Sequence, residues 1–147
     1  LRTTWREALR EYQRVLRPGG VYLNARTERL GESVHEQIRS HWRSQVAAYG
    51  IKSNRPGVRD DDELRAELLK MGAKVEQVEV VRFPRVYVIR EIIANIARRT
   101  HSHTWDVPDE VLTASLDELK VWAGQEFGDL DKKFEETACF MLDVAKL

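Results

Sequence analysis

The residues Arg14-Val-Leu-Arg-Pro-Gly-Gly20, followed directly by Val21-Tyr-Leu-Asn-Ala-Arg26, decide how this chain folds. Pro18 cannot continue a helix, and Gly19 and Gly20 allow the positive backbone angles of a sharp turn. The pattern predicts a helix that ends here and a short buried strand over residues 21–25. A short turn from a helix into a strand is typical of α/β folds.

Apolar residues at helical spacing predict the other helices. The expected helices cover residues 4–16, 31–50, 60–72 and 89–99, and a fifth runs from Pro108 to Gly124 or Gly128. Alternating residues predict a strand over 74–83, which Pro84 interrupts, and residues 85–88 either extend that strand or bend it. The last segment, residues 137–147, fits a strand or a short helix. Residues 52–57 are expected to form a polar connection.

Composition narrows the class of protein. A chain of 147 residues suits one domain, residues 1–147, and is long enough to bury a core. It contains no apolar run near the ~20 residues of a membrane span and no apolar leader, so we expect a soluble, cytoplasmic protein with no membrane partner. Its single cysteine, Cys139, excludes an internal disulfide and a multi-cysteine zinc site, and we expect it to be buried.

Charge is unevenly distributed along the chain. Residues 1–59 contain twelve Lys and Arg against five Glu, a balance of +7, and residues 60–147 have the opposite balance of −7. Arg6, Arg10, Arg14 and Arg17 are expected to form a solvated helix face that opposes the acidic part. No basic tract is interleaved with aromatic residues, so no nucleic-acid partner is expected.

Two blocks carry a resemblance to a known family. Residues 5–20, WREALREYQRVLRPGG, resemble the segment of class I S-adenosylmethionine-dependent methyltransferases, type 11 domain group, that runs from the fourth helix into the fifth strand. Residues 99–110, RTHSHTWDVPDE, with 119–123 and 127–131, resemble the C-terminal part of small methyltransferases of that group. Together the blocks and the segments between them cover most of the chain.

The resemblance implies a fold and a lid. Residues 21–25 would be the fifth strand, 74–83 the sixth and 137–146 the antiparallel seventh. The expected fold class is α/β, the C-terminal portion of a Rossmann-like methyltransferase fold, with a small mixed sheet of about three strands and flanking helices. Residues 29–57 would form an insertion that acts as a substrate lid.

The cofactor-binding signature of that family is missing from this sequence. Family members bind S-adenosylmethionine with a glycine-rich turn after the first strand and acidic residues after the next strands. Gly19 and Gly20 follow a helix and do not open one, so they cannot replace that turn. The chain also begins at Leu1 without a methionine. We therefore expect the acceptor-side part of a methyltransferase that modifies a small molecule. The parent would be the enzyme and bind the cofactor, and this chain alone would bind none.

Six residues are candidates for contacting the acceptor, because loops and strand ends carry ligand contacts in α/β folds. They are Arg26, Thr27 and Glu28 after the first strand, and His101, His103 and Trp105 in the polar loop 100–105. Surface or core-edge roles are the alternative for all six. No catalytic residue is assigned, although His101 or His103 could act as a base if the acceptor must lose a proton.

The remaining histidines and the aromatic residues of the second helix are not assigned to a ligand site. His101, His103 and Asp106 could combine with His35 or His41, but no third ligand has a defined spacing, so no metal is expected. His41, Trp42 and Tyr49 on the second helix are expected to be packing residues.

A non-catalytic role is the alternative function. Without the first four strands, the fifth strand would expose an unpaired edge, which natural proteins avoid. This predicts an interaction domain that forms a homodimer, or exchanges elements between copies, through that edge.

Overall fold

The structure is a computed structural model that describes residues 4–51, 58 and 60–147. Its helices are α1 (Trp5–Val15), α2 (Val34–Ala48), α3 (Asp61–Lys70), α4 (Ile89–Ala97) and α5 (Asp109–Phe127), with a 3-10 turn at Ser102–Thr104. Its strands are β1 (Val21–Leu30), β2 (Lys74–Val88) and β3 (Lys133–Lys146). All five predicted helices are present within a few residues of their expected bounds. The predicted connection 52–57 lies outside the described residues.

The three strands form one sheet in the order β1-β3-β2. The α/β class and the three strands are confirmed, but the sheet is antiparallel and not mixed, because β3 lies between the other two and runs opposite to both. The last segment is therefore a strand, which resolves the ambiguity of the sequence. Cys139 on β3 is buried, as predicted.

The structure corrects one predicted strand end, that of β1, and decides between the two alternatives for residues 85–88, which extend β2. Strand β1 does not stop at residue 25 but continues to Leu30, so Arg26, Thr27 and Glu28 lie inside it. Strand β2 runs through Pro84 to Val88. Strand β2 lies at the edge of the sheet and pairs only with β3 among the described strands. On its unpaired side, a proline without an N–H group removes no hydrogen bond between strands.

The turn between α1 and β1 forms as the sequence predicts. Thr4 caps the start of α1 in a capping box: its backbone N–H donates to the Glu7 carboxylate at 2.7 Å, and its hydroxyl accepts from the Glu7 N–H. At the other end, Gly19 adopts a positive φ of 77°. The Gly20 N–H donates to the Arg17 carbonyl at 2.8 Å, and the chain then enters β1.

The described residues form two compact units. The first takes its residues from the ranges 1–28, 56–83 and 138–147, and the second from 29–55 and 84–137. These ranges alternate along the sequence, so no single boundary separates the units. Whether they act as one domain, as the sequence predicts, stays a prediction.

Each unit has its own core. In the first, α1 and α3 pack against the sheet and bury five apolar residues: Leu9, Leu64, Leu68, Ala73 and Ala145. In the second, α2, α4 and α5 bury a larger cluster that includes Ile38, Trp42, Ile89, Ile96 and Leu119. Among the described helices, each is too short or too polar to cross a bilayer.

Candidate ligand-binding cavity

Arg26 and Glu28, both predicted acceptor contacts, belong to an ion-pair network of the first unit. The Arg26 Nε atom donates to Glu28 Oε1 at 2.7 Å and lies 3.1 Å from Asp61 Oδ2. Its Nη1 atom donates to Asp143 Oδ2 at 2.6 Å. Thr27 points to the opposite face of β1 and is exposed. The structure therefore places these three residues on two different faces of one strand.

Asp143 is the centre of this network. Its carboxylate is fully buried and accepts from four side chains of the first unit, which are Asn24, Arg26, Arg65 and Gln77. A buried charge is tolerated when it is paired and hydrogen-bonded in this way. The network links β1, α3, β2 and β3, and it gives Arg26 a structural role.

The predicted polar loop, residues 100–105, is held by hydrogen bonds of its own. Arg99 has a φ of 54°, in the left-handed region that few non-glycine residues adopt. Its guanidinium donates to the Thr104 carbonyl and, at 2.6 Å, to Asp109 Oδ1. The buried Thr104 hydroxyl donates to the His101 carbonyl at 2.6 Å. These contacts fix the backbone that carries His101.

The three candidate residues of this loop lie in different surroundings. His101 lines a cavity of about 260 Å³. The His103 ring lies edge-on to Trp42, with ring centres 5.8 Å apart, and stacks with His101 at 5.5 Å. Trp105 is 67% exposed, and its indole N–H donates to the Arg99 carbonyl at 2.9 Å. Only His101 of the three is among the residues that line this cavity.

The cavity lies within the second unit and is built from several elements. Three arginines reach it from the end of β1, from α2 and from the end of β2; they are Arg29, Arg39 and Arg85. Polar groups come from His35, Tyr87, Asn95, Glu91 and His101, and apolar walls from Val88, Ile92 and Ile96. Its volume is below the roughly 300–1,000 Å³ of sites for drug-sized ligands, so it suits a smaller molecule.

Hydrogen bonds order one side of the cavity. The Arg29 Nε atom donates to the Tyr87 hydroxyl at 3.3 Å. The buried Glu136 carboxylate accepts from the Ser33 hydroxyl at 2.7 Å and from the His35 N–H at 3.2 Å. The His35 ring packs against Tyr87 with ring centres 4.7 Å apart. The wall is therefore positioned before any ligand arrives.

Both histidines of the cavity favour their neutral form. Burial, reinforced by the charges of Arg29 and Arg39, lowers the pKa of His35 to about 4. Burial and the Arg39 charge also lower the pKa of His101. Each imidazole can therefore offer one donor and one acceptor at neutral pH.

Sequence reasoning missed most of this cavity. His35 and Arg39 were assigned to a lid helix, although their spacing of four places them on one helix face. Arg85 and Tyr87 share one face of β2, but the sequence left open whether residues 85–88 extend that strand. Arg29 lies beyond the predicted end of β1. Correct strand lengths would have brought three of these five residues, Arg29, Arg85 and Tyr87, into consideration.

Three residues of the predicted second helix, His41, Trp42 and Tyr49, were expected to be packing residues, and this is confirmed for Trp42. Its side chain is buried, and its indole N–H donates to the Ser115 hydroxyl at 3.0 Å. His41 stacks on Trp122 with ring centres 3.7 Å apart. Tyr49 is exposed instead and donates to Glu118 at 2.6 Å. The lid function of residues 29–57 stays a prediction, and 52–57 lie outside the described residues.

Among the described residues, no three His, Cys, Asp or Glu side chains come together as metal ligands would. That this chain binds no metal stays a prediction. At the Gly19-Gly20 turn, the Gly20 N–H donates to the Arg17 carbonyl. That this chain binds no S-adenosylmethionine stays a prediction.

The sequence matches no protein-family model, and no curated protein is significantly similar to it.

Proposed function

We propose that this chain is the acceptor-side part of an S-adenosylmethionine-dependent methyltransferase, and that the cavity lined by Arg29 and His101 receives the small-molecule acceptor. One observation carries the proposal: His101, from the loop predicted to contact the acceptor, lines the same cavity as Arg29 at the end of β1. In the Rossmann-like folds that the resemblance implies, ligands bind beyond the carboxyl ends of strands.

The sheet gives further support. The resemblance implies an antiparallel last strand, and β3 is antiparallel to both neighbours. The helix stop at Pro18-Gly19-Gly20 also leads directly into β1, as in the matching segment of the family.

In this role the chain binds and orients the acceptor and shields it from water, which accounts for much of the catalysis in transfers between two bound molecules. His101 would accept a proton if the acceptor must lose one, since its lowered pKa keeps the imidazole neutral. No step is assigned to the cofactor, which is proposed to bind outside this chain.

Calorimetry and the coding sequence test this proposal. The coding sequence upstream of Leu1 is expected to encode a strand followed by a Gly-x-Gly turn, and the protein that includes it is expected to bind S-adenosylmethionine. The 147-residue chain alone is expected not to bind. Micromolar binding by this chain would refute the acceptor-side assignment, and an upstream sequence without such a turn would refute the methyltransferase class.

A second candidate function, a non-catalytic oligomerisation domain, is favoured by the exposure of β1. This strand has one neighbour in the sheet, and Val21 and Leu23 on its outer face are 41% and 57% exposed. A second copy could pair with the free edge and cover these side chains. Light scattering should then show a dimer that Leu23→Lys dissociates and that Val121→Lys, an exposed change on α5, leaves intact. A monomeric wild-type chain at micromolar concentration contradicts this candidate.

A further inference from the structure

We propose that the cavity recognises an anionic group, a carboxylate or a phosphate, on a small molecule with an apolar body. This inference deepens the proposed function. The identification of the ligand as the methyl acceptor rests on that function. Anion binding itself requires no methyl transfer.

Positive charge dominates the lining of the cavity. Arg29, Arg39 and Arg85 approach it from three different elements, whereas Glu91, on the exposed side of α4, is the one carboxylate among the lining residues. Guanidinium groups match the planar geometry of oxyanions and bind them through paired hydrogen bonds.

Two further carboxylates near the arginines are already engaged. Glu136 accepts from Ser33 and His35, and its Oε2 atom lies 3.9 Å from Arg29 Nε, beyond hydrogen-bond distance. Glu36 accepts from Arg43 on the same helix. These acids reduce the field of the arginines, but their oxygens do not occupy the cavity lining.

The two histidines of the lining favour the neutral form. Burial, together with the neighbouring arginine charges, lowers the pKa of His35 and of His101. A neutral histidine can also donate a hydrogen bond to a ligand oxygen. The His35 Nδ1 atom is buried and has no hydrogen-bond partner among the described residues, which is costly unless a ligand or water supplies one.

The rest of the lining selects an apolar body. Ile92 and Ile96 are buried, and Val88 is partly buried beside them. Tyr87 adds an aromatic face, and the Arg85 guanidinium lies 5.4 Å from the centre of its ring. A lining that contains both arginines and aliphatic side chains fits a compact carboxylate or phosphate monoester with a ring or branched chain.

Calorimetric titration of the 147-residue chain with three matched probes tests this inference. Benzoate represents the carboxylate, phenyl phosphate the phosphate, and benzyl alcohol a neutral molecule of similar shape. At pH 7 and low salt, we expect at least one anion to bind at least about tenfold more tightly than the alcohol. The tighter anion identifies which of the two groups the cavity prefers.

Substitutions locate the site. Arg39→Gln is expected to weaken anion binding by about tenfold or more, and Arg85→Gln, on an exposed side chain, to weaken it without risk to folding. Arg90→Gln is the matched control, because Arg90 lies on α4, pairs with Asp131 at 2.6 Å and does not line this cavity. Circular dichroism checks that each variant is folded.

Three outcomes would overturn the inference: no saturable anion binding at millimolar concentration, equal binding of the alcohol, or unchanged binding in folded Arg39→Gln and Arg85→Gln. A failure of the longer protein to bind S-adenosylmethionine would refute the methyltransferase proposal but would not contradict anion binding by this cavity. An absence of anion binding would refute this inference but would not contradict cofactor binding by the longer protein.

Discussion

The guanidinium of Arg26 donates to the buried carboxylate of Asp143 at 2.6 Å, which ties β1 to β3. Arg65 on α3 approaches the same carboxylate, with its Nη1 atom 3.3 Å from Oδ1. Removing one member of a buried ion pair leaves an uncompensated charge, which costs more than the pair itself contributes. Asp143 is therefore the residue on which the polar interior of the first unit depends.

The substitution Asp143→Asn should lower the free energy of unfolding by about 3 kcal/mol, because Arg26 and Arg65 lose their shared buried counter-charge. Urea denaturation measures the change. Glu28→Gln is the control: its carboxylate is 42% exposed, so a change below about 1 kcal/mol is expected. Equal effects of the two substitutions would contradict the central role of Asp143.

The sequence predicts the helices of this fold well because their signals are local. The capping residue Thr4, the helix stop at Pro18 and the apolar stripe that contains Trp42 all act within a few residues of the chain. Strand ends depend on a partner strand that is remote in sequence. β1 continues past Arg26 where the local pattern becomes charged, and Asp143, the partner of Arg26, is 117 residues away.

The residues of the candidate site also differ in whether a local signal in the sequence identifies them. His101 could be selected from sequence because polar loops in α/β folds often contact ligands. The arginines of the cavity could not, since an arginine on a surface helix or strand is usually solvated and nothing local shows which ones converge. Arg39 and Arg85 belong to elements separated by a long stretch of chain, and only the fold brings them to one cavity.

Trp42 should anchor α2 to the second unit. Its buried indole donates to Ser115, whose hydroxyl in turn donates to the Leu112 carbonyl at 3.0 Å. Trp42→Ala is expected to reduce the free energy of unfolding by about 3–5 kcal/mol through lost burial and a residual cavity. Thermal or urea unfolding tests this, with Val121→Ala, on an exposed side chain, expected to change stability by less than about 0.5 kcal/mol. A small effect of Trp42→Ala would favour a loosely held α2, as a lid would need.

His35 should make stability depend on pH. Its folded-state pKa, about 4, is below the ordinary value of 6.5, mainly because of burial. Between these values the unfolded chain binds a proton that the folded protein does not, so the His35 contribution to the free energy of unfolding falls as pH drops from 6.5 to about 4 and levels off below. The loss should be roughly 1–2 kcal/mol after allowance for partial solvent exposure.

Nuclear magnetic resonance titration of His35 gives this pKa directly, and urea denaturation across the same pH range gives the stability. His101 contributes in the same direction, so the comparison is with His35→Gln, which should remove most of the slope. A pKa near 6.5 for His35 in the folded protein would refute the prediction.

Gly20, in the turn before β1, should not tolerate a larger side chain. A Cβ atom on Gly20 would lie 2.8 Å from the Arg17 carbonyl oxygen and 3.0 Å from Leu16 Cβ, and the backbone oxygen cannot move away without breaking its bond to the Gly20 N–H. Gly20→Ala should therefore destabilise the protein by about 1–3 kcal/mol. Gly124→Ala is the matched control, because that position lies in α5 with open space around it. There alanine should stabilise the helix by about 0.5–1 kcal/mol.

Urea denaturation measures both changes in the free energy of unfolding. If the two changes have the same sign, the close contact of Gly20 with the Arg17 carbonyl does not explain why a glycine is needed at this turn.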